Sequence, residues 1–202
     1  MAGTVDIVNR ALTKLGDERI SSLSDGTKAA AVASSLYEMV RDRELAAHSW
    51  NFAKARKKLA ALADKPAFGW DWQYLLPADY PRLLEAGPWP QADMSGYVGG
   101  DHRPFVVEGQ HILARQGPII NLVYLRKVDD AGLFPPVFVE ALASKLAVEM
   151  AESLTGSNSK RQLAWNEYKE AVAEARRVNA IGLPPITIQD DTWMAAHLMG
   201  VI

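Results

Sequence analysis

With 202 residues, no cysteine and a formal net charge of −2, the chain can bury about 70% of its unfolded surface around one substantial core, or a core plus a small satellite. The absence of cysteine excludes disulfides, thiolate zinc sites and cysteine nucleophiles, and near-neutrality excludes a global attraction to a phosphate backbone. No apolar run approaches the roughly 20 residues of a membrane span, and the first ten residues lack the basic and apolar regions of a signal peptide, so the expectation is a protein that is cytoplasmic where it is made.

In chain order, the spacing predicts a first helix over residues 5–15, with Thr4 as its cap, Asp6 at the positive end of the dipole and Gly16 as a left-handed stop. A longer alanine-rich helix follows, capped by Asp25 or Thr27 and ending near His48, with Val32, Leu36 and Val40 on one face. Within residues 41–58 the hydrophobic spacing changes from that of a helix to that of a strand. Trp50 and Phe52 alternate with Asn51 and Ala53, and the alternation runs on into Lys54 and Arg56. Strands are predicted over 51–59, 72–76, 82–85, 104–107, 111–114 and 119–126, mainly antiparallel, with residues 107–111 forming a hairpin around Gly109.

The reverse change occurs near Phe134. A third helix over 136–154 opens on a proline, which a first turn tolerates. Its apolar residues cover most of the circumference and leave Lys145, Glu149 and Glu152 as a narrow polar strip, so it must be covered on several sides. A fourth helix, capped by Ser159 and reaching about residue 179, turns Ala164, Tyr168, Ala171, Val172 and Ala175 inward. The fold class expected is α+β: an antiparallel four-helix bundle (1–49 and 134–181) with an inserted small antiparallel β domain (50–133) and an extended C-terminal tail (182–202).

The motifs of phosphate-binding loops, zinc proteases and serine hydrolases are absent, and residues 96–100 lack the spacing of a dinucleotide fingerprint. His102 and His111, near Asp101 and Glu108, read as exposed loop and strand residues rather than metal ligands. Asp129-Asp130 and Asp190-Asp191 are adjacent in sequence, so their carboxylates diverge and read as solvated turn acids. No enzyme, metal or cofactor is expected. Lys54, Arg56, Lys57 and Lys58 form a dense basic cluster beside Trp50 and Phe52, which suits either a nucleic-acid groove or, better, the protective solvent face of an edge strand.

Two segments are suited to partners. The loop 86–103, rich in glycine and proline, carries Trp89, Met94 and Tyr97, and the tail after Pro184-Pro185 carries Trp193, Met194, Leu198 and Met199. Trp89, Tyr97, Trp193, Met194, Leu198 and Met199 are therefore the expected partner-binding residues.

Several pieces, in order, resemble the head-to-tail adaptor family of short-tailed phages, also called tail tubular protein A. They are Val8-Asn9, Ala11-Leu12 and Leu15-Gly16, then residues 20–25, then Trp50-Asn51-Phe52-Ala53. Trp72, Tyr74, Leu76-Pro77-Ala78-Asp79 and Arg82-Leu83 follow, then Val107-Glu108-Gly109, Tyr124 and residues 134–147. Tyr80-Pro81 interrupts the pattern, and the tail after Gly182 has no counterpart. The resemblance implies a structural virion protein of the tail, present in the host cytoplasm during assembly. It implies a homo-oligomeric ring, typically of about twelve copies, that joins the portal protein to the tail nozzle protein and lets DNA pass through, with no membrane contact. The alternative is a small DNA-binding protein of phage packaging.

Overall fold

The structure, a computed structural model, describes residues 3–87, 105–115 and 117–182. All six expected partner-binding residues (Trp89, Tyr97, Trp193, Met194, Leu198 and Met199) lie outside the described residues, as do Met94, Asp101, His102 and Asp190-Asp191. The elements are α1 (Thr4–Leu15), α2 (Lys28–Ala47), β1 (Lys54–Ala60), β2 (Trp72–Leu75), β3 (Arg82–Gly87), β4 (Phe105–Glu108), β5 (His111–Ala114), β6 (Ile119–Leu125), α3 (Pro136–Thr155) and α4 (Asn158–Ile181).

The helix ends show which cap won at each place. Gly3, not Thr4, is the N-cap of α1, because the Asp6 carboxylate reaches back to accept the Gly3 N–H at 2.8 Å. Gly16 stops the helix at φ 68°, and the Lys160 ammonium donates to the Leu15 carbonyl at 2.7 Å, a cation on the negative end of the dipole. Thr27 caps α2 by accepting from Ala30 N–H, while Asp25 instead holds the preceding turn by accepting from the Ser21 and Ser22 N–H groups. Ser157, two residues before the expected Ser159, caps α4.

The four-helix bundle with one inserted β domain is not what forms. Among the described residues the fold is α+β with four α-helices and two separate three-stranded antiparallel sheets. In a bundle each helix is flanked by two neighbours, but here α1, α2 and α4 each pack mainly on α3. Burial explains the difference. Eleven residues of α3 are buried, including Phe138, Leu142 and Leu146, whereas α4 buries only Ala164, Val172 and Ala175, a stripe wide enough for a single neighbour.

The β region likewise divides in two. Sheet one has the order β1-β6-β3 and sheet two the order β2-β5-β4. Their facing sides bury Tyr74, Ile112, Leu122 and Tyr124 in a second core. Leu125 of β6 and Leu84 at the β3 bulge turn the other way, into the helical core, so sheet one belongs to both layers. The hairpin expected at 107–111 is β4–β5, with Glu108 opposite His111 and Gly109 at φ 58°.

Residues 51–53 depart from the predicted strand and form a 3₁₀ turn before β1. Asn51 is held from outside by Asn179, and Ala53 N–H closes the turn on the Trp50 carbonyl at 3.1 Å. Leu146, fully buried at the centre of α3, is the position where this architecture is tested most simply. Leu146→Ala is expected to cost about 2–5 kcal/mol in chemical denaturation, since the lost atoms leave a cavity at a fully buried site of the helical core. No loss of stability would remove α3 from the centre of the fold.

Candidate nucleic-acid interface

In an antiparallel ladder, residues directly opposite one another project from the same face. On the face of sheet one turned away from sheet two, Lys54 and Arg82 flank Leu125, and Arg56 and Glu85 flank Val123. Lys58 lies beside Asn121 one step further along. Lys54, Arg56 and Lys58 thus form a row on one strand with about 7 Å between successive positions, and Arg82 stands two strands away at about 10 Å. These spacings match the Debye length at physiological salt, about 8 Å, so the potentials of the cations add. Glu85 is the one acid in these rows.

The helical layer extends the patch. His48, the C-cap of α2, is half-buried, and its imidazole is held below its ordinary range by burial, then by Arg176, Arg82 and Lys54. Arg176 of α4 therefore joins Lys54 and Arg82 at the end of the sheet nearest the helices. Among the described residues Lys54, Lys57, Lys58, Arg82 and Arg176 form no ion pair, in contrast to the cations of the helical layer. There, Lys14 bridges Glu140 and Glu167, and Arg41 meets Asp42 and Asp129.

Lys57 follows the parity of Ala55 and Leu59, which pack on the second core, yet it is exposed. A charge pointing inward on an edge strand discourages pairing with another chain, and β1 is an edge strand. So the sequence-predicted cluster serves two ends: Lys57 guards the edge, while half-buried Lys54 beside the helical core and the exposed Arg56 and Lys58 line the opposite face of β1. Chemically, such a face can neutralise phosphates, the sequence-independent part of nucleic-acid binding.

The remaining predicted positions fall elsewhere. Asp129 pairs with the Arg41 guanidinium at 2.9 Å, so it is more than a solvated turn acid, while Asp130 accepts from Gly132 N–H at 2.8 Å and does hold a turn. Glu108 and His111 are neighbours across the hairpin, and among the described residues no group of three or more His, Asp or Glu side chains is placed to hold a metal ion. Two contributors to the basic face, Arg82 and Arg176, were invisible in sequence because they lie far from residues 54–58 along the chain and are brought in by tertiary packing. Phe68, 87% exposed between β1 and β2, was also missed; the run Phe68-Gly69-Trp70 was its signal.

No protein-family model matches the chain, and no curated protein matches it.

The charge reading is checked by replacing Lys54, Arg56 and Lys58 together with glutamate. Binding to random-sequence duplex DNA is expected to weaken, with the slope of log K against log salt reduced by about 2–3, since each phosphate that a cation neutralises adds about 0.9 to it. An unchanged slope in a variant that still melts cooperatively would remove this face from any DNA contact.

Proposed function

We propose that the chain is a head-to-tail adaptor of a short-tailed phage, a virion protein that assembles as a ring between portal and tail nozzle. In this reading the exposed basic part of sheet one, around Arg56 and Lys58, is turned toward the DNA path. The observation that carries it is the segregation of charge: a chain of net charge −2 gathers Lys54, Arg56, Lys58, Arg82 and Arg176 around one sheet face. A strip of this size guides a polyanion, while the near-neutral remainder avoids holding DNA that must move through.

The resemblance to the adaptor family adds support, because the resembling residues occupy joints of the fold. Asn9 exchanges two hydrogen bonds with the Ile20 backbone, both 2.8 Å, and fixes the connection after α1. Trp50 donates its indole N–H to the Glu44 carbonyl and packs edge-on against Phe138, and Tyr124 donates to the Asp79 carboxylate. The proposal assigns no catalytic role. The strongly buried acid Glu44 faces the Tyr168 hydroxyl at 3.0 Å, inside the helical packing. No helix among the described residues is long and apolar enough to cross a membrane.

The same basic face also favours a second reading, a small DNA-binding protein of phage packaging. The two differ in assembly. Light scattering of the purified chain mixed with the portal protein of the same phage is expected to show a complex with several copies per portal ring. A chain that stays monomeric with the portal, yet binds duplex DNA in a salt-dependent way, would favour the packaging reading and overturn the adaptor.

A further inference from the structure

The last turn of α4 is fastened to the junction between α2 and β1 by two asparagine side chains, Asn179 and Asn51. The Asn179 Oδ1 accepts the Asn51 backbone N–H at 2.8 Å, and its Nδ2 donates to the Ser49 carbonyl at 3.1 Å and lies 3.2 Å from His48 Nε2. The Asn51 side-chain amide returns the contact by donating to the Asn179 carbonyl at 2.7 Å. Residues 183–202 continue from this turn.

Hydrogen-bond polarity leaves this arrangement one protonation state. A backbone N–H can only donate and a backbone carbonyl can only accept, so Asn51 and Ser49 fix which end of the Asn179 amide is oxygen and which is nitrogen. The amide cannot flip without opposing two donors at one end and two acceptors at the other. One Nδ2 hydrogen goes to Ser49, and the other points at His48 Nε2. His48 Nε2 must therefore be an acceptor, which makes the ring neutral with its proton on Nδ1.

We propose that His48 and Asn179 form a pH-sensitive latch, in which protonation of His48 Nε2 sets one N–H against another, expels Asn179 and frees the last turn of α4. This goes beyond the adaptor reading and does not depend on it. The surroundings work in the same direction. Arg176 from α4, Arg82 from β3 and Lys54 from β1 all disfavour an imidazolium. The nearby acid on α2, Glu44, is engaged by Tyr168. Since the folded His48 titrates below its ordinary 6.5, the latch is fully closed above that pH and is lost as pH falls through the lower, folded value.

The test is amide hydrogen exchange on the full chain at pH 7.5 and 5.5, corrected for intrinsic exchange, in wild type and His48→Gln. Glutamine offers an acceptor to Asn179 at both pH values and does not titrate in this range. The expected result is about a tenfold loss of protection over residues 179–182 on acidification in wild type, with little change in the variant. An equal change in both, or none in wild type, overturns the proposal. Should His48→Gln leave the turn open even at pH 7.5, nitrogen chemical shifts of the wild-type ring decide. A ring protonated on Nδ1 alone at pH 7.5 supports the latch, and one carrying its proton on Nε2 overturns it.

Discussion

The fold depends on one constraint, the apolar surface that α3 presents on nearly every side. Leu142, Ala143, Leu146, Ala147, Met150 and Ala151 are all fully buried, so no single partner suffices. α1, α2 and α4 surround α3, and the polar groups that remain inside act as ties between them. Lys145 of α3 is buried, pairs with Glu149 at 3.0 Å and lies about 5 Å from the rings of Trp165 and Tyr168 on α4. Glu149 also receives Arg43 from α2. Burial pushes Glu149 up, but the hydrogen bonds and charges of Arg43 and Lys145 outweigh it and hold the carboxylate below its usual range. Burial and the Glu44 carboxylate push the Tyr168 phenol up to about 12, so it stays a hydrogen-bond donor at any physiological pH.

The same helix fixes where the sheets attach. Its first turn brings Phe138 against Trp50, Phe52 and Phe134, with ring centroids 5.0 Å apart in each case, and this cluster anchors both strands of chain that run between the layers. Because β1 starts at Lys54, directly after that anchor, and β6 ends at Leu125 inside the helical core, sheet one has no freedom to turn its basic face elsewhere. Core packing, basic face and the Asn179 fastening therefore share one joint, residues 48–54.

Much of this was legible in the sequence where a period or a special residue carries the signal. The all-round apolar pattern of residues 136–154 identified the central helix, and Gly109 identified the hairpin. The bundle expectation failed because four amphipathic helices can be arranged in several ways, and periodicity gives the width of an apolar stripe but not which neighbour covers it. The strand expected from residue 51 failed because its competitor, Asn179, lies 128 residues away. The basic face was half legible: Lys54, Arg56, Lys57 and Lys58 fall within five residues, while Arg82 and Arg176 arrive through packing.

The central claim is that this face of sheet one looks onto DNA in an assembled ring. Electron cryomicroscopy of the chain assembled on its portal tests it most directly. The account predicts that Lys54, Arg56, Lys58 and Arg82 point into the central channel. A ring in which these residues face outward, or are buried between subunits, would contradict it.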